Sequence, residues 1–220
     1  MSTKSNHVIF WNGIDINRAS VHDPIQEGVI FNGYVSRKKS KLTGNFRLSL
    51  YSQNLEKMIL TCEKSVHKFI ISLNSFNMEK LSSSFVGYYK MFDPRFIGVS
   101  WHPQIDYSHR EMIRIIPFTP DLSSFEVIIP NLGNTIIVQD DQTNNFNYGN
   151  TGMILFGKLT TEQKEGEDRL ELIVKNDNQD IINIKQIHED EYSVQFTHPL
   201  SVFQMFCFCV WIMKKNNPTK

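Results

Sequence analysis

The stretch PLSVFQMFCFCVWIM, residues 199–213, is apolar throughout except for Ser201 and Gln204. A helix that is apolar on every face has to be enclosed on every side. As a helix, its roughly 15 residues would span about 22 Å, short of the ~30 Å hydrocarbon core of a bilayer. The expectation is therefore a soluble helix wrapped by the rest of the chain. Pro199 suits a first helical turn, where its missing N–H costs nothing, and Lys214 and Lys215 suit the negative end of the helix dipole. Asn216, Asn217 and Pro218 then supply a stop.

Working back from this helix, residues 28–198 break into short β-rich segments. The first half gives GVIFNGYVSR, FRLSLYS, MILTCEK, KFIISLN and SFVGYYKMF. The second gives RFIGVSW, REMIRIIPF, FEVIIPN, NTIIVQD, GMILFGKL, RLELIVKN, IINIKQIH and YSVQFTH. Period-2 alternation with turns about every ten residues is the pattern of an antiparallel sandwich or barrel. A barrel is the better fit, because a closed sheet has an interior and the apolar helix needs one. The fold expected is mainly β: a closed antiparallel barrel of about 12 strands around a central hydrophobic C-terminal helix. Residues 1–24 read as a polar, irregular lead, 25–213 as the barrel with its core helix at 199–213, and 214–220 as a polar tail. DDQTNNFNYGNTG (140–152) and the acidic TTEQKEGED (160–168) read as surface loops, and HEDE (188–191) as a turn.

The 23 basic and 23 acidic residues cancel, but residues 1–110 hold 14 Lys/Arg against 8 Asp/Glu, while residues 111–220 hold 9 against 15. That asymmetry suggests a basic face on a neutral protein. The basic stretches carry no interleaved aromatic stacking platform, so no nucleic acid is expected as a partner. Cys62, Cys207 and Cys209 are odd in number and two lie in the apolar run, which is the usage of a reducing compartment. The first residues, MSTKSNHVIFWNG, lack the apolar core of a secretory signal.

Catalytic and metal chemistry finds little support. GxSxG, P-loop, GxGxxG and HExxH patterns are absent, so no enzyme is expected and no cofactor is called for. His102, Asp106 and His109 match no usual zinc spacing, and Asp140, Asp141 and Asn144 lack the glycine and closing glutamate of an EF-hand. Cys207 and Cys209, two apart on a helix, point to different sides and cannot chelate together. A barrel filled by a helix also has no lumen for a small molecule.

The ending YSVQFTHPLSVFQMFCFCVWI resembles the C-terminal signature of tubby-like proteins, in which a last strand leads into a hydrophobic helix. RLELIVKN, FEVIIPNLGN, HKFIISLN and SFVGYYK resemble further strands of that family in the same order, over roughly residues 28–213. The resemblance implies a twelve-stranded barrel closed around its C-terminal helix. It also implies reversible membrane docking through phosphoinositides, chiefly phosphatidylinositol 4,5-bisphosphate. In that family the phosphates are held by a Lys-x-Arg pair just after a strand glycine and an Asn one strand earlier. The glycine falls on Gly87, the two cations on Tyr88 and Lys90, and the Asn on Lys68. One cation has thus become Tyr88 and the amide has become a cation, which keeps two formal charges but replaces the fork of Arg with the point charge of Lys.

Residues 88 and 90 share one strand face, as joint contact with a headgroup requires. Arg37, Lys38, Lys39, Lys41 and Lys64, with Lys57, supply a supporting basic surface, each charge worth about 1 kcal/mol near an anionic membrane. The function expected is a monomeric, non-enzymatic phosphoinositide-binding module. It would sit in the cytoplasm, peripheral at the plasma membrane, with protein cargo and a ciliary or nuclear pool open to a member of such a family. About 28 residues precede the barrel, fewer than the arm on which adaptor activity in the family depends. The alternative is a protein-interaction barrel that has lost specific lipid binding, with Tyr88 as the footprint of that loss.

Overall fold

The computed structural model describes residues 18–39, 46–53, 57–65, 68–73, 84–92, 95–101, 109–119, 123–129, 153–164, 167–176 and 179–215. Twelve antiparallel strands form a closed barrel in which each strand pairs with its neighbours in sequence and the last pairs with the first. They are β1 (Ile30–Lys39), β2 (Phe46–Ser52), β3 (Met58–Ser65), β4 (Lys68–Ser72), β5 (Phe85–Phe92) and β6 (Arg95–Trp101). The second half adds β7 (His109–Pro117), β8 (Ser124–Ile129), β9 (Met153–Lys164), β10 (Glu167–Asn176), β11 (Gln179–His188) and β12 (Glu191–Thr197). Closure leaves no sheet edge to satisfy. The expected segment NTIIVQD, the 140–152 loop, Lys41, His102 and Asp106 lie outside the described residues.

Helix α2 (Val202–Lys215) runs through the interior, with every side chain from Val202 to Met213 buried. Its Trp211 meets Phe125 of β8 at 4.6 Å and Phe96 of β6 at 6.0 Å, both edge-on. Buried Gln204 donates from Nε2 to the carbonyl of Met112 on β7 at 2.8 Å, which fixes the helix in depth and rotation. The helix starts later than its proline suggested. The Ser201 backbone N–H donates to Gln204 Oε1 at 2.9 Å, and the Gln204 N–H donates to Ser201 Oγ at 3.2 Å. This is a Ser-x-x-Gln capping box with Ser201 as the cap, so Pro199 lies ahead of the helix rather than in its first turn.

Two further expectations change. Within the irregular lead, Arg18–His22 forms a short helix, α1, and Val21 and His22 are buried, His22 with its ring 5.0 Å from Phe203 of α2. Ile25 continues this contact by donating to the Leu200 carbonyl at 3.0 Å. Apolar Val21 and Ile25 thus cover the start of α2, the end of the helix that the strands alone leave open. The acidic 160–168 segment is mostly strand, since β9 and β10 stay in register out to Lys164 opposite Glu167. The HEDE segment does turn, at Glu189 and Asp190 between β11 and β12.

Cys62, Cys207 and Cys209 are free thiols enclosed in this core, and burial pushes all three well above the ordinary value of 9.0. A raised folded pKa contributes stability in full below the unfolded value, and that contribution is lost as pH climbs past it. Each thiol then costs about 1.4 kcal/mol per pH unit above about 9. The urea midpoint is therefore expected to hold to about pH 8.5 and to fall steeply from about pH 9 to 11. A thiol reagent at neutral pH should label all three only on unfolding. Fast labelling of the native protein, or a midpoint flat to about pH 11, would contradict an enclosed helix.

Candidate functional site

On the outer face of β4 and β5, Lys68 and Lys90 are direct cross-strand partners. Both ammonium groups stand over one ring: Lys68 Nζ lies 5.2 Å and Lys90 Nζ 5.4 Å from the centroid of Tyr88. Like charges placed opposite each other on adjacent strands destabilise a sheet, whereas an aromatic face attracts each ammonium. Tyr88, 5% exposed, is the floor of this pair.

A local irregularity flanks that floor. Between Ile71 and Ser72 the β4–β5 register shifts, so β5 carries one extra residue, and Val86 and Tyr89 join the core while Phe85 and Tyr88 form a separate buried cluster with Ile97. Half-buried Ile70 packs against this cluster. Tyr88 is thus held from below by aliphatic and aromatic side chains, leaving its position fixed for both lysines.

Register extends the cationic row in a direction that spacing along the chain does not reveal. Lys68 pairs Lys90, Lys90 pairs Ile97 and Ile97 pairs Arg114, so β4, β5 and β7 each contribute a cation to the same outer row. Arg114 is only 2% exposed. It sits between the core residues Ile113 and Ile115, and that alternation is the one sign in the sequence that it faces outward.

The supporting basic residues separate. Arg37 forms an ion pair with Asp190, its backbone N–H bonds the Asp190 carbonyl at 2.8 Å, and its side chain is 10% exposed. It therefore acts as a tie between β1 and the β11–β12 turn. Lys38 and Lys39 are exposed at the end of β1, and Lys38 lies opposite Arg47, which pairs with Glu63 at 2.9 Å. Lys64 is opposite core-facing Phe69, so the pleat puts it on the other face from Lys68. Lys57 precedes β3 and lies at the other end of the barrel from Lys68. The structure thus gathers Lys68, Tyr88 and Lys90 and disperses the rest. The chain matches no protein-family model and no curated protein.

What the arrangement can do chemically follows from its parts. Two ammonium groups offer donors only, and the aromatic floor excludes water from beneath them. Such a set suits a ligand with several anionic oxygens, and phosphate groups have that character. No helix among the described residues is long and apolar enough to cross a membrane.

Proposed function

We propose that this barrel is a non-enzymatic, tubby-like phosphoinositide-binding module that docks reversibly on the cytosolic face of a membrane. Lys68 and Lys90 hold the inositol phosphates, and Tyr88 forms the aromatic wall beneath them. The observation that carries this reading is the meeting of both ammonium groups over one buried tyrosine ring. The resemblance of five segments to tubby-like strands points to the same positions, with Lys68 standing where that family has an amide.

The deciding experiment is co-sedimentation with vesicles containing phosphatidylinositol 4,5-bisphosphate, set against vesicles matched in charge with phosphatidylserine. Wild type should prefer the phosphoinositide, and Lys68→Glu/Lys90→Glu should lose that preference. Equal binding to both vesicles by wild type and variant would leave only a diffuse basic surface. No binding at all would favour the protein-interaction barrel.

A further inference from the structure

Among the described residues, three large hydrophobic side chains are exposed: Phe118 at 56%, Phe156 at 60% and Ile187 at 37%. The first two meet, their rings stacked at 6.4 Å between centroids and 30° between planes. Phe118 is held by the turn after β7, where its backbone N–H donates to the Ser124 carbonyl at 3.0 Å. Phe156 projects from β9, paired with Glu126 of β8 and Lys175 of β10. Ile116, Ile128 and Ile173 are half-buried, follow core residues in the strand alternation, and point outward around the two rings. Five apolar side chains on the outside of four adjacent strands therefore form one patch, which scattered surface hydrophobes do not.

The charges around this patch are balanced. Glu126 shares the row of Phe156, while Lys158 lies two residues on along β9, opposite Ser124, so the two charges stand on opposite sides of the line joining the rings. Among the described residues neither makes an ion pair within its own chain, whereas nearby Lys175 is bridged to Asp180 at 3.2 Å and Lys185 to Glu171 at 2.7 Å. An apolar ridge flanked by one acid and one base is complementary to itself when turned over. Neighbouring strands lie ~4.8 Å apart and alternate residues of a strand about 6.8 Å apart. On that lattice a two-fold axis laid along the ring line sets each ring on its own counterpart, Ile128 on Ile173, and Glu126 beside Lys158 of the second copy. A formal net charge of +0 adds no long-range repulsion between copies.

We infer that Phe118, Phe156, Glu126 and Lys158 form the centre of an isologous interface through which the chain pairs with a second copy of itself, in place of the monomer expected from sequence alone. This pairing does not depend on lipid binding. Lys68 and Lys90 lie on β4 and β5, three or more strands from β8, and so outside the patch. Two phenylalanine side chains give at most about 400 Å² of contact per copy, below the ~800 Å² of a standard interface. The dimer is therefore weak, with a dissociation constant in the micromolar range or above.

Sedimentation velocity of the full chain, from about 5 to about 200 µM, should show a reversible monomer–dimer equilibrium. Phe118→Ser/Phe156→Ser should weaken it by about tenfold or more. Both positions are exposed, so this variant should keep the circular dichroism spectrum of wild type. Glu126→Lys alone and Lys158→Glu alone each set like charges across the axis at two places and should weaken the dimer by about fivefold. The swap Glu126→Lys/Lys158→Glu puts opposite charges back across the axis and should return the wild-type affinity, which a purely local effect of either change would not do. A swap no tighter than the single reversals overturns the two-fold pairing. So does a wild type that stays monomeric at about 200 µM, whether or not it binds vesicles. A serine variant that dimerises as well as wild type also overturns it, since the contact then lies elsewhere on the barrel.

Discussion

Gly157→Val is expected to destabilise the barrel by about 3 kcal/mol or more and to lower its melting temperature by about 10 °C. Gly157 on β9 is the direct partner of Phe125 on β8. The Phe125 ring lies across the glycine so closely that a Cβ there would stand 2.0 Å from both Cε2 and Cζ. In a looser site the ring would rotate away, but Phe125 is fully buried, edge-on to Trp211 at 4.6 Å and 6.5 Å from Phe208. Displacing it presses on α2, and interiors packed to crystal density transmit such strain. Even Gly157→Ala should show most of the effect. Pairing that alanine with Phe125→Leu should cost less than the two single changes added together, because the smaller side chain removes the clash. Urea unfolding of the four proteins measures this coupling. A Gly157→Ala change within about 0.5 kcal/mol of wild type would mean that the helix does not brace the ring.

The same braced interior explains which features were legible in the sequence. A segment such as residues 202–213, apolar on every face but for Gln204, has one physical solution in water, and period-2 strands around it have one way to supply it, so barrel and core helix followed from composition and periodicity. Helix onset did not, because the two hydrogen bonds between Ser201 and Gln204 outweigh the preference of Pro199 for a first turn. The acidic 160–168 segment was hidden by its charge, because acidic residues are depleted in strands, yet its backbone continues the β9–β10 pairing. At the candidate site, the joint face of Tyr88 and Lys90 was readable from strand period alone. Arg114 was not, because its place beside Ile97 depends on the β6–β7 register, which includes a shift between Gly98 and Val99. Charge clusters were the least informative feature. Sequence proximity grouped Arg37 and Lys64 with Lys68, yet an ion pair to Asp190 occupies the first and pleat parity turns the second away.

That dispersal gives the charge-reversal experiment its resolving power. Near an anionic membrane each basic residue contributes about 1 kcal/mol, so Lys68→Glu/Lys90→Glu, which changes the local charge by four units, should remove about 4 kcal/mol, close to a thousandfold in vesicle affinity. Lys68→Gln/Lys90→Gln should remove about half of that energy, or roughly thirtyfold. The fold should survive both, because the two side chains lie on the outer face of the barrel and not in its core. Lys57→Glu is the control, since that residue sits at the other end of the barrel. A bound headgroup held at short range is screened less than charges spread over a surface, so raising salt should strip the shared, non-specific part first and leave wild type preferring the phosphoinositide. If Lys57→Glu weakens binding per unit charge as much as the paired reversal does, attraction is spread over the surface and the Tyr88 ring organises nothing. If only the pair matters, two lysines on adjacent strands have become a receptor because the regular β4–β5 register sets Lys68 opposite Lys90 with Tyr88 two residues away on the same face.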